Sequence, residues 1–308
     1  MPTSRTSILR GPGSVKFGDV VIHDADGITA EVETATKEIP SSISGTLDVI
    51  KTDQTGRVAF TPCGQMTDAI LAALFPHQTP AIGSSLCGTA DTPVEIHSLA
   101  GTKVKFFNSF LSKVPELNLS PVATAFGRAE ITALLALGKG ITDPDSFYKV
   151  ESAAYALGYP DPSALTGVKY TGTFGTMSIP DTKEGWKVAV ELGTEIVDTD
   201  NDGSIDATLS SVTVRASCTP LGLTEAQILA ALPTSLGKGA SLRGSNDLVI
   251  AGRGGLTVSL KNARMVTGPI QWGNATLRAG EVGFIASRSF TNGVAGPLYT
   301  VAMTASED

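Results

Sequence analysis

The sequence predicts a mainly β protein with short helices, arranged as two tandem β-sandwich or barrel units that are each flanked by one α-helix. Three observations lead to this fold class. The 308 residues include 33 Gly and 17 Pro, which separate short runs of alternating polar and apolar residues, as in sandwiches and barrels. The sequence contains a long internal repeat. Each copy of the repeat carries one short helical segment with its own start and stop signals.

The repeat is most evident around the pentapeptide ILAAL, which occurs at 70–74 and again at 228–232. The same offset of 158 positions aligns, without a gap, Val32-Glu33 with Val190-Glu191, Gly45 with Gly203, Asp48 with Asp206, Arg57 with Arg215, Thr61-Pro62 with Thr219-Pro220, and Gly64 with Gly222. About fifteen of the 43 positions from 32 to 74 are identical, where chance would give roughly three. We interpret this as a duplicated domain.

Each copy begins with an alternating segment, ITAEVET at 28–34 and WKVAVEL at 186–192, which predicts a strand. A glycine, Gly45 or Gly203, is expected to take a positive φ and turn the chain into a second long strand. Further strands are predicted at GTKVKF (101–106) and FGRAEITAL (126–134), which are similar to GLTVSL (255–260) and LRAGEVGFI (277–285).

One helix follows the long hairpin in each copy. Thr67 is the expected N-cap of the first helix. Thr224 and Gln227 have the spacing of a capping box in the second. The apolar residues of each helix are expected to face the sheet together; these are Ile70, Leu71 and Leu74 in the first copy and Ile228, Leu229 and Leu232 in the second.

The predicted organisation is a first domain with an N-terminal arm at 1–137, a connection at 138–169, and a second domain with a C-terminal tail at 170–308. The connection is rich in Gly, Pro and aromatic residues. It is interpreted either as a partly packed linker or as an arm that docks on a neighbouring subunit.

Composition excludes several classes of function. A net charge of −7 argues against tight binding of nucleic acid. The N-terminus lacks the apolar core of a signal peptide, and no apolar run is long enough to cross a bilayer. The three cysteines and three histidines show no metal-ligand spacing, and no catalytic or cofactor motif is present. The expectation is a non-enzymatic, cofactor-free protein made in a cytoplasm.

The acidic stretch DTDNDGSID at 198–206 resembles a calcium loop, with Asp198, Asp200 and Asp202 as the ligand candidates. The aligned positions in the first copy are Pro40, Ser42 and Ser44, which carry no carboxylate, and Leu209 occupies the place of a bidentate Glu. A plain acidic turn is therefore favoured, and a calcium site specific to the second copy is the alternative.

The order of elements resembles the tail-tube (major tail) proteins of long-tailed, non-contractile bacteriophages. The resemblance rests on the hairpin, a G-[ST]-[LI]-D turn, a strand that ends in Thr-Pro-x-Gly, one helix and paired closing strands. VPELNLSPVATAFGRAEITAL (114–134) and TGPIQWGNATLRAGEVGFIAS (267–287) are similar to the closing strands of that family. The resemblance to this family covers both repeats, roughly 11–137 and 170–290.

The resemblance implies two tail-tube-like domains in a structural virion protein, which would assemble in the host cytoplasm into stacked rings that guide DNA during ejection. Family members usually carry one such domain and form hexamers, so a duplicated chain would close the ring as a homotrimer with pseudo-sixfold symmetry. The implied partners are the chain itself and other tail proteins such as the tape measure, distal and terminator proteins. DNA would pass without specific binding, and no membrane would be involved.

A lumen that lets DNA pass must not present cations that capture phosphates. The hairpins 28–39 with 46–60 and 186–197 with 204–217 are the candidates for the lining, and Glu33, Asp48, Glu191 and Asp206 are the shared acids expected to face the bore. The N-terminal arm (1–13), the connection and the tail (291–308) are candidates for contacts between rings. The alternatives are a calcium-dependent surface- or carbohydrate-binding β module, and a single-ring terminator or decoration protein.

Overall fold

The computed structural model describes most of the chain. The described residues are 13–43, 45–64, 66–87, 92–120, 124–135, 147–159, 169–199, 203–232, 238, 246–268, 270–272, 277–291 and 294–303. The predicted N-terminal arm lies almost wholly outside these ranges.

Strands dominate both halves, which confirms the mainly β prediction. The first half contains β1 (Gly13–Phe17), β2 (Val20–Asp24), β3 (Thr29–Ser41), β4 (Gly45–Phe60), β5 (Pro62–Cys63), α1 (Asp68–Leu74), β6 (Val94–Ser98), β7 (Thr102–Phe106), β8 (Asn108–Lys113), β9 (Leu117–Leu119), β10 (Thr124–Phe126), β11 (Ala129–Leu134) and β12 (Tyr148–Ser152).

The second half follows a similar sequence of elements. It contains β13 (Tyr170–Phe174), β14 (Met177–Ile179), β15 (Asp181–Thr199), β16 (Gly203–Leu221), α2 (Glu225–Ala231), β17 (Asn246–Gly252), β18 (Leu256–Thr267), β19 (Ile270–Trp272), β20 (Leu277–Ala279), β21 (Val282–Ile285), β22 (Phe290–Thr291), β23 (Val294–Ala295) and β24 (Tyr299–Met303). Among the described residues it has no separate counterpart of β5, and it has one additional pair of strands, β22 and β23.

Strand pairings in the first half recur in the second. Eight pairings of the first half have a counterpart in the second. The first-half pairings are β1–β2, β1–β6, β6–β7, β7–β12, β3–β4, β4–β11, β8–β11 and β9–β10. Their counterparts, in the same order, are β13–β14, β13–β17, β17–β18, β18–β24, β15–β16, β16–β21, β18–β21 and β19–β20. β7 and β8 belong to two separate sheets in the first half, whereas the single long strand β18 joins both sheets of the second half. The sequence repeat is therefore accompanied by a repeat of sheet topology.

One core runs through the two halves. Phe60, Phe106 and Leu117 of the first half lie in the same buried cluster as Trp186 and Phe284 of the second. The cluster is continuous because β9 hydrogen-bonds to β15, which extends a sheet of the second half with a strand of the first. Burying these large side chains supplies the main driving force for holding the two halves together.

Two segments predicted as connection or tail instead complete the sheets. β12 lies inside the predicted connection but pairs with β7, and Phe147 before it is buried against Phe106. β24 lies inside the predicted tail but pairs with β18. The described residues 147–159 and 299–303 therefore carry contacts within the chain, and their role in contacts between rings stays a prediction.

The helices begin where the capping signals predicted. The Thr67 side chain accepts a hydrogen bond from the Ile70 amide, and Thr224 forms the full capping box with Gln227. Leu71 is fully buried, but Leu229 at the equivalent position of α2 is 44% exposed. The expectation that Leu229 faces the core is therefore wrong: α1 is covered by β24, whereas no described segment covers Leu229.

Candidate functional site

Two long hairpins, β3–β4 and β15–β16, are the features that the repeat preserves most closely. Val32 pairs with Gly56 and Val190 with Val214, which are equivalent positions. Both ladders shift register at the same two places, after Ala35 and Ile39 in the first hairpin and after Gly193 and Val197 in the second. Bulges bend a hairpin and set its twist, so the two hairpins share these two irregularities; the second has a further register shift after Thr182.

Each hairpin turns at the glycine that the repeat aligns. Gly45 has a φ of 76° and Gly203 a φ of 74°, conformations that a residue with a Cβ rarely adopts. These two turns confirm the role predicted for the glycines. The first hairpin pairs Ser41 with Gly45 as the second pairs Thr199 with Gly203, although the first has no acidic stretch in its sequence there.

Asp198, the first calcium-ligand candidate, is engaged within the protein. Its Oδ1 atom accepts a hydrogen bond of 2.7 Å from Ser204 Oγ. Asp200 and Asp202 lie outside the described residues, so the calcium hypothesis remains untested. Within the described ranges, no group of three His, Cys, Asp or Glu residues is arranged to hold a metal ion.

The four acidic candidates occupy equivalent register positions. Glu33 lies opposite Thr55 and Glu191 opposite Thr213, while Asp48 lies opposite Ile39 and Asp206 opposite Val197. Since side chains alternate across a strand, the two acids of each hairpin share one face. Glu33, Asp48 and Glu191 are exposed. Asp206 is half-buried and accepts a hydrogen bond of 2.8 Å from Ser85 Oγ.

The same face also carries a shared arginine, Arg57 or Arg215, so it is mixed in charge rather than uniformly acidic. Arg57 Nε donates to Glu130 Oε2 at 2.9 Å, and Lys113 Nζ lies 3.3 Å from Glu130 Oε1. Burial alone would raise the pKa of Glu130, but these two cations outweigh it and hold the pKa below its usual value. The carboxylate thereby offsets the positive charge of this part of the face.

The second hairpin rests on the first half of the chain. The Ala207 carbonyl accepts a hydrogen bond of 2.7 Å from the Leu86 amide. The buried Asn108 side chain donates from Nδ2 to the Ile205 carbonyl at 3.3 Å. Asp53 accepts from the Ser204 amide at 3.1 Å and from Ser204 Oγ at 2.7 Å.

Asp53 is a contact residue that sequence reasoning missed. Burial would raise its pKa, but the hydrogen bonds from Ser204 and Gln54 and the charge of Lys51 together lower the pKa below the usual value. Comparison of the two copies did not single out Asp53, because the aligned residue of the second copy is Ser211, which carries no carboxylate.

The tip of the first hairpin, beyond Asp53, has no such cover within the described chain. Leu47 and Val49 are exposed, whereas Ala207, which aligns with Val49, is fully buried under the first half. Alternating apolar residues at 47 and 49 were a usable sequence signal, but alternation alone does not show which face lacks a cover. Apolar side chains exposed together on one strand indicate an interaction surface.

Comparison with models of known protein families and with the sequences of characterised proteins gives no match. Among the residues that the structure describes, neither helix is long and apolar enough to span a lipid bilayer.

Proposed function

We propose that this protein is a structural, non-enzymatic virion component that associates head to tail into rings of three chains. In the proposal, the rings stack into the tail tube of a long-tailed, non-contractile bacteriophage. Each chain then provides two hairpin units, so that a ring contains six equivalent units, three from each repeat. Its partners are further copies of itself and the other tail proteins that start, measure and end the tube.

One observation carries the proposal: the contact made by the second hairpin is satisfied inside the chain, and the equivalent contact of the first hairpin is not. Ala207 is covered by residues of the first half, while Leu47 and Val49 are exposed. A surface that is used on one copy and open on the other describes a heterologous interface, which forms a closed ring or an open filament when it is repeated.

The charge pattern is compatible with a bore for DNA. Glu33 and Glu191 are exposed at equivalent positions on the polar face of their hairpins, and the chain carries a net charge of −7. Phosphates are captured by clustered Lys and Arg through counterion release. In the first hairpin Arg57 is paired with Glu130, and a face whose arginine is neutralised in this way does not hold the passing DNA.

Negative-stain microscopy of the purified protein separates this proposal from its alternatives. The proposal predicts rings that stack into tubes. Single closed rings would favour a terminator or decoration protein. A protein that stays monomeric at high concentration and melts at a lower temperature after chelation of calcium would favour the calcium-dependent binding module.

The lumen assignment has its own test in particles assembled with altered tube protein. Replacing Glu33 and Glu191 together by Lys should leave tubes intact but impair DNA ejection, because the new cations face the phosphates. The matched control replaces both residues by Gln, which removes the charge without adding a cation. Normal infectivity of the lysine variant would overturn the assignment of these residues to the bore.

A further inference from the structure

We propose that the seam between neighbouring chains repeats the contact between the two halves of one chain. In this seam the free edge of β3 pairs with β19 of the next copy. The inference rests on the proposed self-association, not on the role in a phage tail. It names the partner, a second copy of this chain, and the register of the contact.

The intrachain contact provides the template. β9 pairs antiparallel with the edge of β15, with Trp186 opposite Leu119, Lys187 opposite Asn118 and Val188 opposite Leu117. Their equivalents follow from the repeated pairings: β3 occupies the position of β15, and β19 the position of β9. The predicted intermolecular register is Ile28 opposite Trp272, Thr29 opposite Gln271 and Ala30 opposite Ile270.

The two strand edges that would meet in this seam have no partner strand in the described chain. β3 is the edge strand of its four-stranded sheet, and β19 and β20 pair only with each other. An exposed strand edge is a template for pairing with another chain. The seam would join two different surfaces, one on each repeat, in the same way as the contact between the two halves of one chain, so the interface is heterologous and association proceeds head to tail.

The side chains of β3 show what the missing strand would cover. Val190 is 5% exposed, whereas the equivalent Val32 is 40% exposed. Val188 is buried, whereas the equivalent Ala30 is exposed. A cavity of about 260 Å³ lies beside this edge, and its lining includes Ile28, Ala30 and Val104. At the corresponding place in the second half, Leu117 and Leu119 of β9 are fully buried in the common core.

Two equivalent glycines, Gly185 and Gly27, also show that a neighbouring strand is present beside β15 and absent beside β3 in the described chain. Gly185 has a φ of 95°, and a Cβ there would lie 2.3 Å from the Leu119 carbonyl oxygen, so the second half needs glycine for a close approach of β9. The equivalent Gly27 has a φ of 104°, and a Cβ there would meet nothing within 4 Å. Gly27 therefore has the backbone conformation that allows a close approach of a neighbouring strand, but no described strand occupies that place.

The helices give an independent indication of the same neighbour. In the first half, β24 covers α1: the Met303 amide donates to Asp68 Oδ1 at 2.9 Å, and the Leu298 amide donates to the Gln78 carbonyl at 2.7 Å. The equivalent seam would place β12 of the next copy over α2. Leu229 on α2 and Val150 on β12 are both exposed, while their equivalents Leu71 and Val301 are buried.

Site-directed disulfides test the register. In a Cys63→Ser background, Thr29→Cys combined with Gln271→Cys should give covalently linked chains on oxidation, because opposite positions of antiparallel strands bring the Cα atoms to about 4.5–5.5 Å, within reach of a disulfide. The covalent series should end at three chains if the ring closes. Lys187→Cys with Asn118→Cys, the equivalent pair inside one chain, is the positive control and should link without any gain in mass.

Glu33→Cys with Gln271→Cys is the off-register control, since four residues displace the thiol by about 13 Å along the strand; it should not link. Rings that form but link only in the off-register pair, or in neither pair, would overturn the seam and leave the proposed function standing. A link within one chain at Thr29 and Gln271 would overturn head-to-tail pairing. Protein that never forms rings would contradict the proposed function itself.

A second pair of variants tests the helix contact without relying on disulfide geometry. Leu229→Asp and Val150→Asp should each weaken assembly at least tenfold in sedimentation, with an unchanged melting temperature of the isolated chain. Unchanged assembly of both variants would overturn the placement of β12 over α2.

Discussion

Replacing two exposed apolar residues of β4 in the first hairpin, Leu47→Asp with Val49→Asp, should abolish ring formation and leave the isolated chain folded. Leu47 is 62% and Val49 53% exposed in the chain. Complete burial of a Leu or Val side chain stabilises by about 1.5–3 kcal/mol. Covering the exposed part of these two side chains therefore contributes about 2–3 kcal/mol to each contact.

That free energy corresponds to a loss of about 30–150-fold in the association constant of each contact. The introduced carboxylates would add a further penalty, because an unpaired charge would have to be desolvated in the interface. Analytical ultracentrifugation over a range of concentrations measures the loss, and thermal unfolding at low concentration measures the stability of the chain itself.

Two matched variants make the result specific. Ala207→Asp changes the position equivalent to Val49 in the second hairpin; because Ala207 is fully buried, this variant should destabilise the chain itself. Leu99→Asp changes an exposed apolar residue in the turn between β6 and β7 and should affect neither property. Rings of normal stability from the double variant would refute the reasoning that the first hairpin is a contact surface.

Two further predictions concern the contact inside the chain. Gly185→Ala should lower the melting temperature of the unassembled chain more than Gly27→Ala does, because both take a positive φ but only Gly185 faces the Leu119 carbonyl; equal losses would argue against a tight approach of β9. Asp53→Asn should reduce stability at neutral pH by about 1 kcal/mol, the contribution of the hydrogen bonds from Ser204 to a charged carboxylate. Because folding lowers the pKa of Asp53, this contribution is present above the unfolded value of about 3.9 and is lost as the pH falls through the lower folded value. The difference in free energy of unfolding between wild type and variant, measured in urea, should therefore shrink below about pH 4. A difference that does not depend on pH would contradict the assigned role of the charged Asp53 carboxylate.

Local features of the fold were predictable from the sequence. Hairpin turns at Gly45 and Gly203 and helix starts at Thr67 and Thr224 depend on residues within a few positions of each other, so short-range chemistry identifies them. The mainly β class followed from alternation and turn residues for the same reason.

Long-range pairing was not predictable in the same way. β12 and β24 have no hairpin partner next to them in sequence and pair with strands about 40 residues away, so no local pattern separates them from loops. The exposure of Leu229 could not be predicted for the same reason. The helical pattern gives its face, but the segment that covers the equivalent Leu71 comes from the far end of the chain.

The candidate site was only partly visible in the sequence. Alignment of the two copies identified the shared acids, and their register positions are indeed equivalent. It could not show that the face also balances Arg57 with Glu130, since these residues lie on strands that are distant in sequence. Nor could it show that one hairpin is covered and the other open, because this asymmetry arises only when the two halves pack against each other.

Native mass spectrometry of the smallest ring tests the central claim most directly. A chain of 31.7 kDa that presents two equivalent units should close into a ring of three chains, with three times that mass. A ring of six chains would mean that each chain contributes only one unit to the circle, and would contradict the account of a doubled, head-to-tail building block.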